Sequence, residues 1–358
     1  MPDETHEVFR EAGFYRIFQP VRFGGLELDY EAIVHMAAEL GRGCGSSAWL
    51  FTNLTQPGII NGMKDPRAQE ELWADNPDTL CATAHPGRDS EVTQVDGGLR
   101  VHGTWHATSG VDFSDWINLQ IFLCPEDAPA EHRFAMLPKS DYEVIDDWFA
   151  TGMSATGSQS VRMEEVFIPD YRMISSLQMT GGPTQGSAVN PGTLYRLPFW
   201  GVAGRQFSSP AIGIARGALE LTEADLETRK GAGGATLSDE PVAHLRLSES
   251  DAEIHAAFNL ALADCLTATQ MTEAGDLPDL LQRVRWKRNN AYVVLLSVRA
   301  TDRLYDLAGM RALAPDSHVA RAWRDVHAVA SQVSVSWNAQ ATNYGRARFG
   351  LPIRDPRI

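Results

Sequence analysis

The hydrophobic period of this chain changes twice along its length, and that switching limits the folds open to it. Up to about residue 78 apolar residues recur at helical spacing: "YEAIVHMAAELGR" puts Ile33, Met36, Ala37 and Leu40 on one face. The stretch "GRGCGSS" interrupts this helix, and "AWLFTNL" and "PRAQEELWAD" read as two more. From Thr79 the period shortens. "EVTQVDGGLRVHGTW" reads as a hairpin turning at Gly97-Gly98, and "WINLQIFLC", "RFAMLPKS", "YEVIDDWF" and "VRMEEVFIP" as further short strands. No helices alternate with these strands, which excludes a Rossmann-type parallel sheet and predicts an antiparallel β domain over residues 79–172. The Gly/Pro/Ser/Thr-rich run over 174–195 reads as an exposed connector, within 173–198. From Phe199 to the end the helical period returns. "DAEIHAAFNLALADCL" places Ile254, Phe258, Leu262 and Cys265 on one stripe, and several such segments in succession predict a helical bundle over 199–358.

Composition removes several classes of function. The 358 residues carry a formal net charge of −15, against nucleic acid and anionic membranes as partners. No apolar run approaches the roughly 18 residues of a membrane span. The N-terminal "MPDETHEVFREAG" is polar and acidic, unlike a signal peptide. Four scattered cysteines (Cys44, Cys81, Cys124 and Cys265) form no metal-binding spacing, so no metal is expected and a reducing cytoplasm is.

Six motifs, in order, carry a resemblance that spans nearly the whole chain: "AGFYRIFQPVRFGG", "GRGCGSSAW", "GTWHATSGVDFSDW", "WFATGMSATGSQSVRMEEVFIP", "RAWRDVHA" and "YGRARFGLP". With the helical–β–helical order they make the chain resemble the acyl-CoA dehydrogenase superfamily. The closer likeness is to its oxygenase branch, the two-component, reduced-flavin-dependent monooxygenases that include the p-hydroxyphenylacetate, secosteroid phenol and dibenzothiophene oxygenases. The resemblance implies an α+β fold: an N-terminal helical domain (1–78), a middle antiparallel β-barrel domain (79–172), a connector (173–198) and a C-terminal four-helix bundle (199–358). The family carries a further helix ahead of the first motif. Reduced flavin (FMNH2 or FADH2) and O2 would form a C4a-hydroperoxide that oxygenates an aromatic or polycyclic small molecule. A separate NAD(P)H:flavin reductase would supply the flavin, and the usual assembly is a homotetramer.

The resemblance also assigns residues. Trp105 would pack near the isoalloxazine, with Thr108 or Ser109 placing a hydroxyl near its polar edge. Thr156, Gly157 and Ser158, in "SATGSQS", would give hydroxyls and backbone N–H groups to the ring or the phosphate. Arg205 and Arg321 would pair with the flavin, the guanidinium fork suiting phosphate and ring carbonyl alike. Arg321 and Asp325, four apart, share a helix face and are equally readable as a structural ion pair. Gly213 and Gly217 read as close helix packing. His327 would be the catalytic base on a phenol.

The chain departs from the phenol-hydroxylase pattern at two places. A second histidine expected after His327 is Gln332, which can hydrogen-bond but cannot take a proton, and a histidine expected after "CGSSAW" is replaced by Gln56-Pro57. His85, in "CATAHPGRDS", is the candidate substitute and otherwise reads as a surface residue. Two alternatives remain at this level: an acyl-CoA dehydrogenase-like flavin oxidoreductase, whose carboxylate base has no visible counterpart in "WNAQATNYGRARFG", and a non-oxygenase or binding member of the same scaffold.

Overall fold

The computed structural model describes residues 1–124, 130–231, 234, 236–353 and 355. Helices come first: α1 (Asp3–Glu11), α2 (Ala32–Gly43), α3 (Gly45–Thr55), α4 (Pro57–Gly62) and α5 (Pro66–Trp73). Eight strands follow: β1 (Cys81–Pro86), β2 (Glu91–Val95), β3 (Gly98–Thr108), β4 (Trp116–Leu123), β5 (Glu131–Pro138), β6 (Glu143–Ile145), β7 (Gln159–Pro169) and β8 (Met173–Ser175). The chain ends in α6 (Phe199–Val202), α7 (Arg205–Thr228), α8 (Pro241–Ala274), α9 (Leu280–Ala308), α10 (His318–Ala330) and α11 (Trp337–Arg348). Among the described residues no helix is long and apolar enough to cross a membrane.

The strands form one open sheet in the order β6-β7-β3-β1-β4-β5-β8, with β2 paired to β3. The antiparallel barrel expected from the sequence is corrected on two counts. The sheet does not close, since β6 and β8 stand at its opposite ends, and its central pair, β1 and β4, is parallel. The chain leaves β3 on one side of β1 and re-enters the sheet on the other, so β4 runs alongside β1 in the same direction. The β2–β3 hairpin turns at Asp96-Gly97, one residue earlier than expected. Val95 pairs with Gly98, and Gly97 takes φ 73°, a left-handed conformation that glycine adopts without steric cost.

The connector is corrected as well. It is not an exposed linker: β8 adds to the edge of the sheet, and Ile174, Met179, Asn190, Leu194 and Tyr195 are buried. Tyr195 donates its hydroxyl hydrogen to the Phe18 carbonyl, and the Asn190 amide donates to the Gly62 carbonyl and to Gln69. Polar, glycine-rich composition signals irregular backbone, not exposure.

Helix α2 buries Ile33, Val34, Ala37, Ala38 and Gly41 against α7. The contact works because glycines face backbone: a Cβ on Gly213 would sit 2.4 Å from the Ala38 carbonyl oxygen, and one on Gly217 would sit 2.2 Å from that of Arg42. The first helical segment is thereby packed onto the C-terminal helices, where α7, α8 and α9 pack on one another and α10 lies across α7 and α9.

One polar group lies deep in this assembly. Lys64, just beyond α4, is fully buried and donates to the amide oxygens of Asn61 and Asn118. Burial, with Cys81 and Arg172 as its charged or titratable neighbours, lowers its pKa to about 7. The unfolded chain holds that proton up to about pH 10.4. Unfolding therefore takes up a proton between these limits, and stability rises with pH across the window. The Cys81 thiol, pushed up by burial to about 11, acts in the opposite sense once its unfolded form ionises above about pH 8.5. Chemical denaturation of the wild type should show a gain of about 1–2 kcal/mol from pH 7 to 8.5. In Lys64→Met that slope should be lost, whatever the variant's absolute stability.

Candidate active site

A cleft of about 840 Å3 opens where the sheet meets the helices. Its walls are Trp49 and Asn53 of α3, His85 of β1, Ala107 and Ser109 at the end of β3, residues 148–153 with Thr156 and Ser158, Phe207 of α7, Trp323, Arg324, His327 and Ala328 of α10, and residues 331–333. Five large aromatic side chains, Trp49, Trp148, Phe149, Phe207 and Trp323, make this a mostly apolar concavity with few polar groups, the usual character of a small-molecule site.

Its most ordered polar feature is a row of hydroxyls. Along β3, Leu99, Val101 and Trp105 point inward and His102 and His106 outward. A register shift between Trp105 and Thr108, with Ala107 at φ 56°, breaks this alternation and delivers Ser109 to the cleft. There the Trp49 Nε1–H donates to Ser109 Oγ at 2.9 Å. Ser109 Oγ lies 2.7 Å from Ser158 Oγ, which lies 2.7 Å from Thr156 Oγ1, and Thr156 donates to the Met153 carbonyl at 2.9 Å. A hydroxyl carries one hydrogen. Since that of Thr156 is given to Met153, the remaining contacts are hydrogen bonds only if Ser109 donates to Ser158 and Ser158 to Thr156. Every hydrogen in the row is committed, and the row presents lone pairs to an arriving ligand.

The 148–158 segment is tied across to α10. Gly152 runs so close to α10 that a Cβ there would lie 2.3 Å from the Arg324 carbonyl oxygen. The next residue, Met153, adopts φ 53° and donates its backbone N–H to Asp325 Oδ1 at 2.6 Å. Asp325 is buried, and that burial raises its pKa, partly offset by the Met153 bond and by Arg321 and Arg324. On the same helix, the His327 ring packs tilted against Trp323, centroids 4.5 Å apart, and both rings reach Asp302 of α9: Trp323 Nε1 lies 2.8 Å and His327 Nε2 3.0 Å from its Oδ1. A carboxylate only accepts, so His327 carries its hydrogen on Nε2 and keeps Nδ1 as the basic nitrogen.

The sequence-predicted residues divide into two sets. Ser109, Thr156, Ser158, His327, Gln332 and His85 are gathered around the cleft. Gln332 accepts the Ser334 N–H through Oε1, which leaves its amide hydrogens toward a ligand. Gly157, at φ 49°, sets the turn that brings Ser158 into the row. The other four stand elsewhere. Trp105 is fully buried and donates its indole N–H to the Gln120 carbonyl: it is a core residue of the sheet. Thr108 is fully buried beside the bulge. Arg205 faces into the bundle, where it pairs with Asp264 at 2.6 Å and contacts Ser208, and no part of it is exposed. Arg321 is on the far side of α10, beside Gly41 and Gly45. Asp325 bonds the Met153 N–H, and Arg321 acts on it only as a neighbouring charge.

Trp49, Trp148, Phe207 and Trp323 were not singled out as site walls from sequence, nor Asp302 as the partner of His327. The signal for Trp49 was present in the "GSSAW" motif, where Ser47 to Trp49 open a helix whose next apolar positions are buried.

Replacement of Asp325 by Ala should leave the Met153 N–H buried without its acceptor. The expected cost is about 1–3 kcal/mol of unfolding free energy, with amide exchange at Met153 faster by about tenfold or more. Unchanged exchange at that amide would show that Asp325 does not hold the segment.

The comparisons with known proteins agree with this architecture. The family model for the acyl-CoA dehydrogenase C-terminal domain matches residues 206–337. The flavin-dependent monooxygenase oxygenase subunit HsaA of Mycobacterium tuberculosis is 28% identical over 360 residues, covering 100% of this chain and 91% of its own length. The FADH(2)-dependent resorcinol hydroxylase oxygenase component of a Rhizobium species is 29% identical over 366 residues, covering 98% and 88%. The crystal structure of 3-HSA hydroxylase from Rhodococcus sp. RHA1 superposes with a TM-score of 0.93 at 27% identity, covering 100% of this chain and 92% of that one. The chain thus carries an acyl-CoA dehydrogenase C-terminal domain match and is similar along its whole length to the oxygenase components of flavin-dependent monooxygenases.

Proposed function

We propose that this chain is the oxygenase component of a two-component flavin-dependent monooxygenase. It uses reduced flavin, FMNH2 or FADH2, and O2 to hydroxylate an aromatic small molecule, with a separate NAD(P)H:flavin reductase as partner. The observation that carries this reading is the directed hydroxyl row of Ser109, Ser158 and Thr156 set into an aromatic-walled cleft. The relatives named above, flavin-dependent oxygenase subunits and components, support it.

The cleft fits such a group. Its volume is that of a site for a large planar ligand, and Trp49, Trp148 and Phe207 offer flat surfaces that exclude water. When bound, reduced flavin supplies the electrons that activate O2. The reduced ring has an N–H at position 5 that the oxidised ring lacks, and a row that can only accept hydrogen bonds favours the reduced form. Ser109, at the cleft end of the row, would receive that N–H. Arg324 is the cation among the cleft-lining side chains and would take the flavin phosphate. His327, oriented by Asp302, would hold the proton released by a substrate hydroxyl on Nδ1.

The acyl-CoA dehydrogenase alternative is disfavoured by the site itself. No Asp or Glu is among the described residues lining the cleft, and that chemistry needs a carboxylate base at the substrate. We extend the proposal to a homotetramer, because Met310, Leu313 and Phe349 leave large apolar surface exposed. A cytoplasmic setting suits four cysteines that are all unpaired.

The test is an anaerobic titration of the purified protein with oxidised and reduced FMN and FAD, followed by admission of oxygen in the presence of simple phenols. Reduced flavin should bind at least about tenfold more tightly than oxidised, and a hydroxylated product should form. Ser109→Ala should lose about 1–3 kcal/mol of reduced-flavin affinity with little change toward the oxidised form. Tight oxidised FAD bleached by acyl-CoA would overturn the reading in favour of a dehydrogenase, and absence of binding to either flavin would leave a non-oxygenase scaffold.

A further inference from the structure

Behind the main cleft lies a second, smaller chamber of about 40 Å3, and His85 and Phe207 line both. That volume holds about three water molecules or one small polar group, but not an aromatic ring. Its chemistry is one-sided. No Asp or Glu is among the described residues lining either chamber, in a chain with a net charge of −15. The smaller chamber is instead edged by Lys287, by His85 and by Trp200, whose Nε1–H is buried with no hydrogen-bond partner among the described residues. Lys287 Nζ lies 4.7 Å from the centroid of the Trp200 ring, a cation–π contact that keeps the ammonium beside the chamber.

His85 is held by a relay that fixes what it offers. Gln120 donates from Nε2 to His85 Nδ1 at 3.0 Å, and its Oε1 accepts from His132 Nε2 at 3.1 Å. The proton of neutral His85 is thereby placed on Nε2, so the ring acts as a donor. His132 is buried on the far side of Gln120, against the Trp200 ring. Among the described residues, the titratable groups that line or back the chamber are His85 from β1, His132 from β5 and Lys287 from α9. Gln56, the residue where the family resemblance expects a histidine, also lines the chamber, but it accepts from the Tyr30 hydroxyl and donates to Gln206 and to the Ala203 carbonyl. Its hydrogen-bonding capacity is consumed within the protein.

We propose that this chamber is an oxyanion seat for the substrate. It would take the oxygen of a phenolate, or a carboxylate on the same ring, with Lys287 and His85 as the residues that hold it and Gln120–His132 as the positioning pair behind. The identity of the occupant as the substrate rests on the oxygenase reading, whereas the seat itself is tested without flavin. The aromatic body of the ligand stays in the main cleft and only its anionic substituent passes His85. A phenolate oxygen held there makes the attached ring electron-rich, which is what oxygenation of an aromatic carbon requires, whereas a carboxylate held there only anchors the ring. The chain thus supplies by Lys287 and His85 what the two absent histidines would otherwise provide.

The probe is 4-nitrophenol, titrated into flavin-free protein across a pH series while the absorbance of its phenolate is followed. The bound probe should ionise about one pH unit below the free one, equivalent to a tenfold preference for the anion. Lys287→Met and His85→Leu should each remove most of that shift, Lys287→Arg should restore it, and Arg324→Met should leave it intact. Near-UV circular dichroism establishes that each variant keeps its tertiary packing. Benzoate that displaces the probe more tightly than phenol does assigns the seat to carboxylates, and weaker displacement assigns it to phenolates. Absent binding, a bound probe with unshifted ionisation, or a shift that survives in both Lys287→Met and His85→Leu would overturn the proposal. None of these outcomes depends on flavin, so its failure is separable from failure of the oxygenase reading.

Discussion

The hydrogen bond from the Met153 N–H to the buried carboxylate of Asp325 is the joint on which the site depends. It couples a left-handed turn between two strands to the helix that carries Trp323, Arg324 and His327. A buried carboxylate is unfavourable unless it is well bonded, and here the cost is offset by a contact that a mobile loop could not keep. With that joint made, Gly152 lies on the α10 backbone, and the hydroxyl row and His327 face the same space. The strained φ of Met153 and of Ala107 falls at the two places where the sheet supplies polar groups to the cleft, which is where strain is tolerated when surrounding structure fixes it.

Polarity in the two chambers is sorted by role. The main cleft combines the acceptors of the Ser109 row and a base in His327 with one guanidinium, Arg324, while the smaller chamber is edged by the donors Lys287 and Trp200 and by His85. Such sorting is electrostatic preorganisation: groups fixed by their own hydrogen bonds do not reorient when a ligand arrives. Each orientation comes from a fixed protein partner, namely the Met153 carbonyl for the hydroxyls, Asp302 for His327 and Gln120 for His85. No Asp or Glu is among the described residues lining either chamber.

Much of the element order was legible in the sequence because it rests on local periodicity. The helices around Ile33, the strands after Thr79 and the helices after Phe199 follow from which side chains must be buried at spacings of 3.6 and 2. The pairing of β1 with β4 and the open edges of the sheet were not legible, because strand neighbours are set by long-range closure, not by local pattern. The connector was misread for a related reason. Gly and Pro report backbone geometry, and whether a segment is covered depends on what folds over it, as Tyr195 and Asn190 show.

The site was legible to the extent that a residue type and its motif determine a role. Ser109, Thr156, Ser158 and His327 could be singled out because the motifs that carry the resemblance place them, since hydroxyl residues beside glycine are by themselves ordinary turn residues. Trp105 and Arg205 could not be told from site residues by their identity. A tryptophan fits a core as well as a cofactor face, and an arginine becomes internal once Asp264, fifty-nine positions away, comes within 2.6 Å. The sequence by itself determined the likeness to flavin-dependent oxygenase components, the order of elements and the set of chemically able groups. Only the tertiary structure decided which of those groups share a cavity, because helix rotation, the β3 bulge and the Asp325 joint depend on contacts between residues far apart in the chain.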